Sequence, residues 1–323
     1  MQLIHVITSR YQLQVLFISF LGLILSGCFS TPQTRNIVQN NFDLPKIVEH
    51  TQTTFYPQKR FQCGPASLAT ALDSIHHHHP LSNVVKRVYL PGRKGSLKSD
   101  LLSATRRYGL VAYKLKPELT DLLTELADGK VVIVFQNLGI KLIPRWHYAV
   151  AIGYNLKNKT IILRSGKHKR RITRLKLFER TWKRSKYWAI VVTPANKIPK
   201  TATALRWLSA LALFEKHSPT THKVVIAYDA AISRWPNNTL LHLATANFAF
   251  NHKRYRKANR HYHMAVRLDP TNGDAWNNIA NLMLKQKQFG KAKRYSRKAI
   301  NIGGPNVNIY RRTYNEILSK TNR

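Results

Sequence analysis

The sequence predicts an α+β domain followed by an all-α domain of helical repeats. Two observations carry this: short helical and strand patterns are mixed as far as Thr193, and beyond a linker at 194–201 residue types recur every 34 positions in a wholly helical pattern. A chain of 323 residues is long for one core, so two domains are expected.

The aperiodic polar stretch 28–53 reads as a tether. Leu68, Ala69, Leu72 and Ile75 fall at helical spacing behind Pro65, which suits a first helical turn. Helical patterns follow at 84–90 and at 96–108, the second closed by Gly109, with Pro91-Gly92 a turn between them. Leu110 to Leu115 alternates like a strand, and Pro117 to Ala127 reads as a helix stopped at Gly129. Strands are expected at 131–135, 146–154, 160–163 and 187–193, with a helix at 175–183. The domain therefore spans 54–193.

Residues 202–323 carry the repeat. Asn238, Asn272 and Asn306 are 34 apart, as are Ala231, Ala265 and Ala299, and Ala212, Ala246 and Ala280. Pro236 and Pro270, Tyr255 and Phe289, and Ala258 and Ala292 keep the same step, and Trp276 stands four before Ala280. This period resembles tetratricopeptide repeats, about three of them, the first degraded around 217–222. A final helix at 310–319 would cap the stack.

Lysine and arginine number 53 against 14 acids, a formal charge of +39. Such an excess draws a protein toward polyanions and anionic lipid. The cations are scattered without a tail or dense stripe, which points to a basic solvated surface and to no specific nucleic-acid site. Arg254, Arg256, Lys257 and Arg260 could make part of a repeat groove basic and suited to an acidic partner. The consecutive histidines His76 to His79 read as a solvated tract, so no metal and no cofactor is expected.

The two cysteines, Cys28 and Cys63, have unrelated settings. Leu13 to Leu25 is an apolar run shorter than the ~20 residues of a spanning helix. It fits a secretion signal over 1–27. Leu25-Ser26-Gly27-Cys28 resembles the lipobox of bacterial lipoproteins. That resemblance implies cleavage before Cys28, acylation there, and a lipid-anchored protein of the cell envelope, with the outer membrane favoured by Phe29. Cys63 is then left without a disulfide partner.

Cys63 sits at the expected start of a helix, where free amides and the positive dipole end favour a thiolate. A cysteine nucleophile needs a base, and His147 begins a strongly apolar strand. Gln62-Cys63-Gly64-Pro65-Ala66-Ser67 followed by His147-Tyr148-Ala149-Val150-Ala151-Ile152-Gly153-Tyr154 resembles the papain-like cysteine peptidases, most closely those that process bacteriocin leaders. The resemblance covers about residues 54–193. It implies that Cys63 is the nucleophile, His147 the base and then the acid, and Gln58 an oxyanion donor beside the backbone amide of Cys63. Gln62 is the other glutamine, adjacent to the cysteine and poorly placed to reach round.

These peptidases orient the histidine with an acid or amide at the end of the next strand. Here Leu163-Arg164-Ser165-Gly166 stands there, and no carboxylate lies between His147 and Glu179. Ser165 is the nearest candidate. A hydroxyl can fix an imidazole tautomer but adds no charge to stabilise the imidazolium. Two readings follow: a membrane-anchored cysteine peptidase whose repeats present a protein substrate, or an inert peptidase-like lipoprotein that binds peptides as a scaffold.

Overall fold

A computed structural model describes residues 30–40, 42–218 and 220–321. The signal segment and Cys28 lie outside these residues. The chain divides into two compact units. The first holds the described residues up to Thr105, then Ala112–Val192 and Pro199–Thr201. The second holds Arg106–Val111, Thr193–Ile198 and Ala202 onward.

The first unit is α+β. Its elements run α1 (Pro32–Gln39), β1 (Ile47–Glu49), α2 (Cys63–Asp73), α3 (Leu81–Val88), α4 (Lys98–Arg107), β2 (Val111–Lys114) and α5 (Leu119–Ala127). Then come β3 (Val132–Asn137), β4 (Trp146–Asn155), β5 (Thr160–Ser165), β6 (His168–Arg174), α6 (Leu175–Lys183) and β7 (Ala189–Thr193). The strands form a seven-stranded sheet in the order β2-β7-β3-β4-β5-β6, with β1 added beside β4. The pairs β3–β4, β4–β5, β5–β6, β3–β7 and β1–β4 are antiparallel. Ile133, Val134, Ala149 and Ala151 are fully buried, because the central strands are covered on both faces and read as continuous apolar runs. Leu68 and Leu72 of α2 are also fully buried, and α2 packs against β4.

Two segments depart from the sequence reading. Residues 28–53, read as a tether, contain α1 and β1. The carboxylate of Glu179, fully buried, accepts from the backbone amides of Gln33 and Thr34 at 3.1 and 2.7 Å. It thereby satisfies two free donors of the first turn of α1. Val48 lies opposite Tyr154, and a Cβ on Gly153 would stand 2.2 Å from the carbonyl oxygen of Val48. Only glycine admits so close a backbone. The second surprise is β6, an edge strand of sequence HKRRITR whose residues are almost all exposed. Solvent on both its faces leaves no alternation to read.

The second unit comprises α7 (Ala204–His217), α8 (Thr221–Arg234), α9 (Thr239–Asn251), α10 (Tyr255–Leu268), α11 (Gly273–Lys285), α12 (Phe289–Ile302) and α13 (Val307–Thr321). The repeating asparagines have a mechanical role: Asn238 and Asn272 accept from the Leu241 and Ala275 amides at 3.0 Å and cap α9 and α11. The repeating alanines 231, 265 and 299, 246 and 280, and 258 and 292 are all fully buried where helices cross closely. Ala212 departs from its phase and is exposed; α7 packs instead through Trp207, Leu211 and Phe214. Trp276 donates its indole N–H to the Pro270 carbonyl at 2.9 Å and stacks on Tyr295. One repeat earlier, His242 and His261 occupy those positions. The His242 Nε2 is 2.8 Å from the Pro236 carbonyl and its Nδ1 is 2.9 Å from the Nδ1 of His261.

Candidate active site

The tertiary structure brings the predicted residues to one end of the sheet. Cys63 opens α2, and Gln62 at the N-cap makes no side-chain capping bond. The first-turn amides of Cys63 and Gly64 are turned on the sulfur instead, together with the amide of Tyr148 from β4. The sulfur thus lies beside the backbone of the residue that follows His147. Strand register explains how this is possible. Phe135, opposite Tyr148, gives its own amide to Trp188 of the segment leading into β7, so the polar groups of Tyr148 face away from β3. β5 pairs with β4 only from Val150 onward, and the N-terminus of α2 approaches the strand edge left open at Tyr148.

His147 lies opposite Gln136, and its Nε2 is 2.8 Å from the Ser165 hydroxyl at the end of β5. Ser165 is buried. Burial, with the charge of Arg171 second, lowers the imidazole pKa to about 4. Burial raises the Cys63 thiol, opposed by the three amides. The helix terminus alone therefore does not produce the resting thiolate that the sequence suggests; desolvation outweighs it. At neutral pH burial leaves both the thiol and the imidazole uncharged.

Gln58 arrives from the loop before α2. Its amide nitrogen donates to the Gly166 carbonyl at 3.0 Å, and its side-chain nitrogen is 3.4 Å from the Tyr148 carbonyl. Arg164, buried and one residue before Ser165, clamps the approach by donating to the carbonyls of Thr51, Thr53 and Lys169. Its role was invisible in the sequence, where a basic residue in a basic chain carries no signal. Gly64 is required for packing, because a Cβ there would stand 2.6 Å from the Ser96 hydroxyl and 3.3 Å from Leu101.

A cleft of about 750 Å³ opens beside the sulfur, walled by Phe61, Phe135, Trp146 and Tyr148 and by residues 93–99, which lead into α4. Phe61 holds a φ of +67°, a strained value for a bulky side chain. Its ring is on the cleft wall. Among the described residues no group of three metal-ligating side chains occurs, and His78 of the histidine tract is 2.9 Å from Asp73. No described helix is long and apolar enough to cross a membrane.

The second unit has its own groove of about 470 Å³, lined by Asn247, Asn278, Asn281 and Lys285 of α9 and α11 and by Glu316 and Lys320 of α13. Arg254, Arg256, Lys257 and Arg260 do not line it; they lie on and just before α10, and Lys257 pairs with Asp229 at 2.5 Å.

A tetratricopeptide-repeat family model matches residues 261–294. No curated protein matches the chain. Among solved structures it is similar to a putative C39-like peptidase from Bacillus anthracis, with 16% identity, a TM-score of 0.40, and 48% of this chain and 100% of that one covered. It is similar also to the first TPR of Spaghetti (RPAP3) bound to an HSP90 peptide, at 17% identity and TM-score 0.34 over 37% and 94% of the two chains. A third is the Sgt2 TPR domain from Aspergillus fumigatus, at 20% identity and TM-score 0.31 over 37% and 76%.

Proposed function

We propose that the first unit is a cysteine peptidase acting through Cys63, with His147 as general base and then general acid. The observation that supports this reading is the Cys63 sulfur set beside the backbone amide of Tyr148, the residue after His147, while the imidazole Nε2 meets the Ser165 hydroxyl. With Nε2 engaged by Ser165, Nδ1 is the ring nitrogen that would take the thiol proton. Because the resting pair is neutral, the thiol proton passes to His147 as the sulfur attacks the carbonyl carbon of a peptide bond. The backbone amide of Cys63 and the side chain of Gln58, released from Tyr148, donate to the oxyanion; preorganised donors of this kind are worth ~3 kcal/mol. The imidazolium then protonates the leaving amine, which departs as the acyl-enzyme forms; a water attacks that thioester as His147 takes its proton, and the Cys63 sulfur leaves and recovers the proton from the imidazolium. Ser165 orients the ring without supplying charge.

The repeats, in the same reading, take a protein or peptide partner in the groove lined by asparagine amides and Lys285, with Lys320 paired to Glu316 at its side. Acylation at Cys28 holds the protein to the envelope. The absence of an acid beside His147 favours one rival, a peptidase-like scaffold that binds peptides without cutting them. A periplasmic protein pool incubated with residues 29–323 separates the two. New N-termini that are lost with Cys63→Ala and with His147→Ala are expected; identical termini with all three proteins overturn the enzyme.

A further inference from the structure

The cleft beside Cys63 holds three cations, Arg93, Lys94 and Lys98, and no acid. Lys98 is the unusual one. It is the first residue of α4, where the helix dipole disfavours a cation. Its ammonium lies 4.9 Å from the Phe135 ring centre and 5.9 Å from that of Trp188, and its one hydrogen bond, to the Ser185 carbonyl, is long at 3.5 Å. Burial, then the charges of Lys114 and Lys186, lower its pKa. Asp100, two residues on, is engaged with the Leu97 amide at 2.7 Å. Lys98 is thus partly desolvated and held against two rings, with no carboxylate paired to it among the described residues.

The rings around it form one surface. Phe135 stacks on Trp146 at 5.1 Å and meets Tyr148 at 4.4 Å, while Trp188 is buried edge-on beneath. Trp146 is 50% exposed, a large apolar face left open at the rim. Resting on the peptidase reading of Cys63, we infer that this cleft is a substrate subsite selecting an aromatic or long apolar side chain next to a carboxylate. The rings take the apolar group, and the Lys98 ammonium at their edge takes the anion. The carboxylate can come from an Asp or Glu side chain or from a free chain end.

Chloroacetyl tetrapeptides that alkylate Cys63 provide the test, with the full chain from residue 29. Sulfur displaces chloride, and the thiol proton leaves to the base or to solvent. Probes carry Phe-Glu, Phe-Gln, Ala-Glu or Phe-Lys with an amidated end, and Phe-Gln with a free end. Each rate is divided by that of chloroacetamide, which senses the sulfur alone and so reports separately on the peptidase reading. The Phe-Glu probe is expected to exceed Phe-Gln and Ala-Glu by about tenfold each and Phe-Lys by more. A preference for amidated Phe-Glu assigns the side-chain source, and one for free-ended Phe-Gln the chain end. Lys98→Met should bring the acid preference near unity, while Lys98→Arg retains it. Equal normalised rates for all probes, with chloroacetamide reacting fast, overturn the subsite and leave the nucleophile standing. Slow chloroacetamide labelling would instead sink the peptidase reading and the subsite with it.

Discussion

Ser165→Ala removes one hydroxyl from a buried site and tests whether it orients the base. The oxygen is 2.8 Å from His147 Nε2, and the ring becomes positive only while it holds the thiol proton. A hydrogen bond to a charged group is worth about 1.5–3 kcal/mol. At ~1.4 kcal/mol per decade, the rate of sulfur attack should fall roughly 10- to 150-fold. The assay is iodoacetamide labelling of residues 29–323, in which Cys63 is the single thiol, followed by intact mass. The fall should be seen at pH 6.5 and should vanish at high pH, where the thiol ionises without a base. A loss below about twofold at pH 6.5, or an equal loss at every pH, would refute the orienting role.

Gly64→Ala forces a Cβ against Ser96 and Leu101, so it should cost about 1–3 kcal/mol of stability in denaturant melts and slow labelling of Cys63. Gly153→Ala drives a Cβ into the backbone of Val48 and should expose 47–49 to proteolysis while α2 stays folded. Burial also holds His261 at about 4, like His147, so the folded protein binds fewer protons than the unfolded chain between pH 4 and 6.5. That stabilisation is full above pH 6.5 and lost as the pH falls toward 4, which thermal melts can follow. The double change His242→Trp with His261→Tyr copies the next repeat's Trp276–Tyr295 pair and should remove the His261 part of this acid sensitivity.

Much of the fold was legible because its elements repeat or alternate. Apolar runs such as 131–135 read as buried strands, and the step of 34 marked the helix pairs, where Asn238 and Asn272 turn out to be caps. What escaped was held by groups distant in sequence. Helix α1 has only Ile37 as a buried apolar residue and depends on Glu179, 145 positions from Thr34. Strand β6 borrows its order from β5 and buries nothing of its own. At the candidate site, the flanking patterns of Cys63 and His147 drew attention to those residues, whereas the clamp of Arg164 and the cation at Lys98 exist only once the chain is folded. The protonation of the pair was the least legible part: a helix terminus can be read from sequence, but the burial that outweighs it cannot.

The pH dependence of Cys63 alkylation, compared between the natural sequence and His147→Ala, bears most directly on the partnership of sulfur and imidazole. With His147 neutral above its pKa of about 4, the natural protein should react about a hundredfold faster than the variant between pH 5 and 7 and lose that advantage below pH 4. Superimposed curves, both following the ionisation of an unaided thiol, would contradict it.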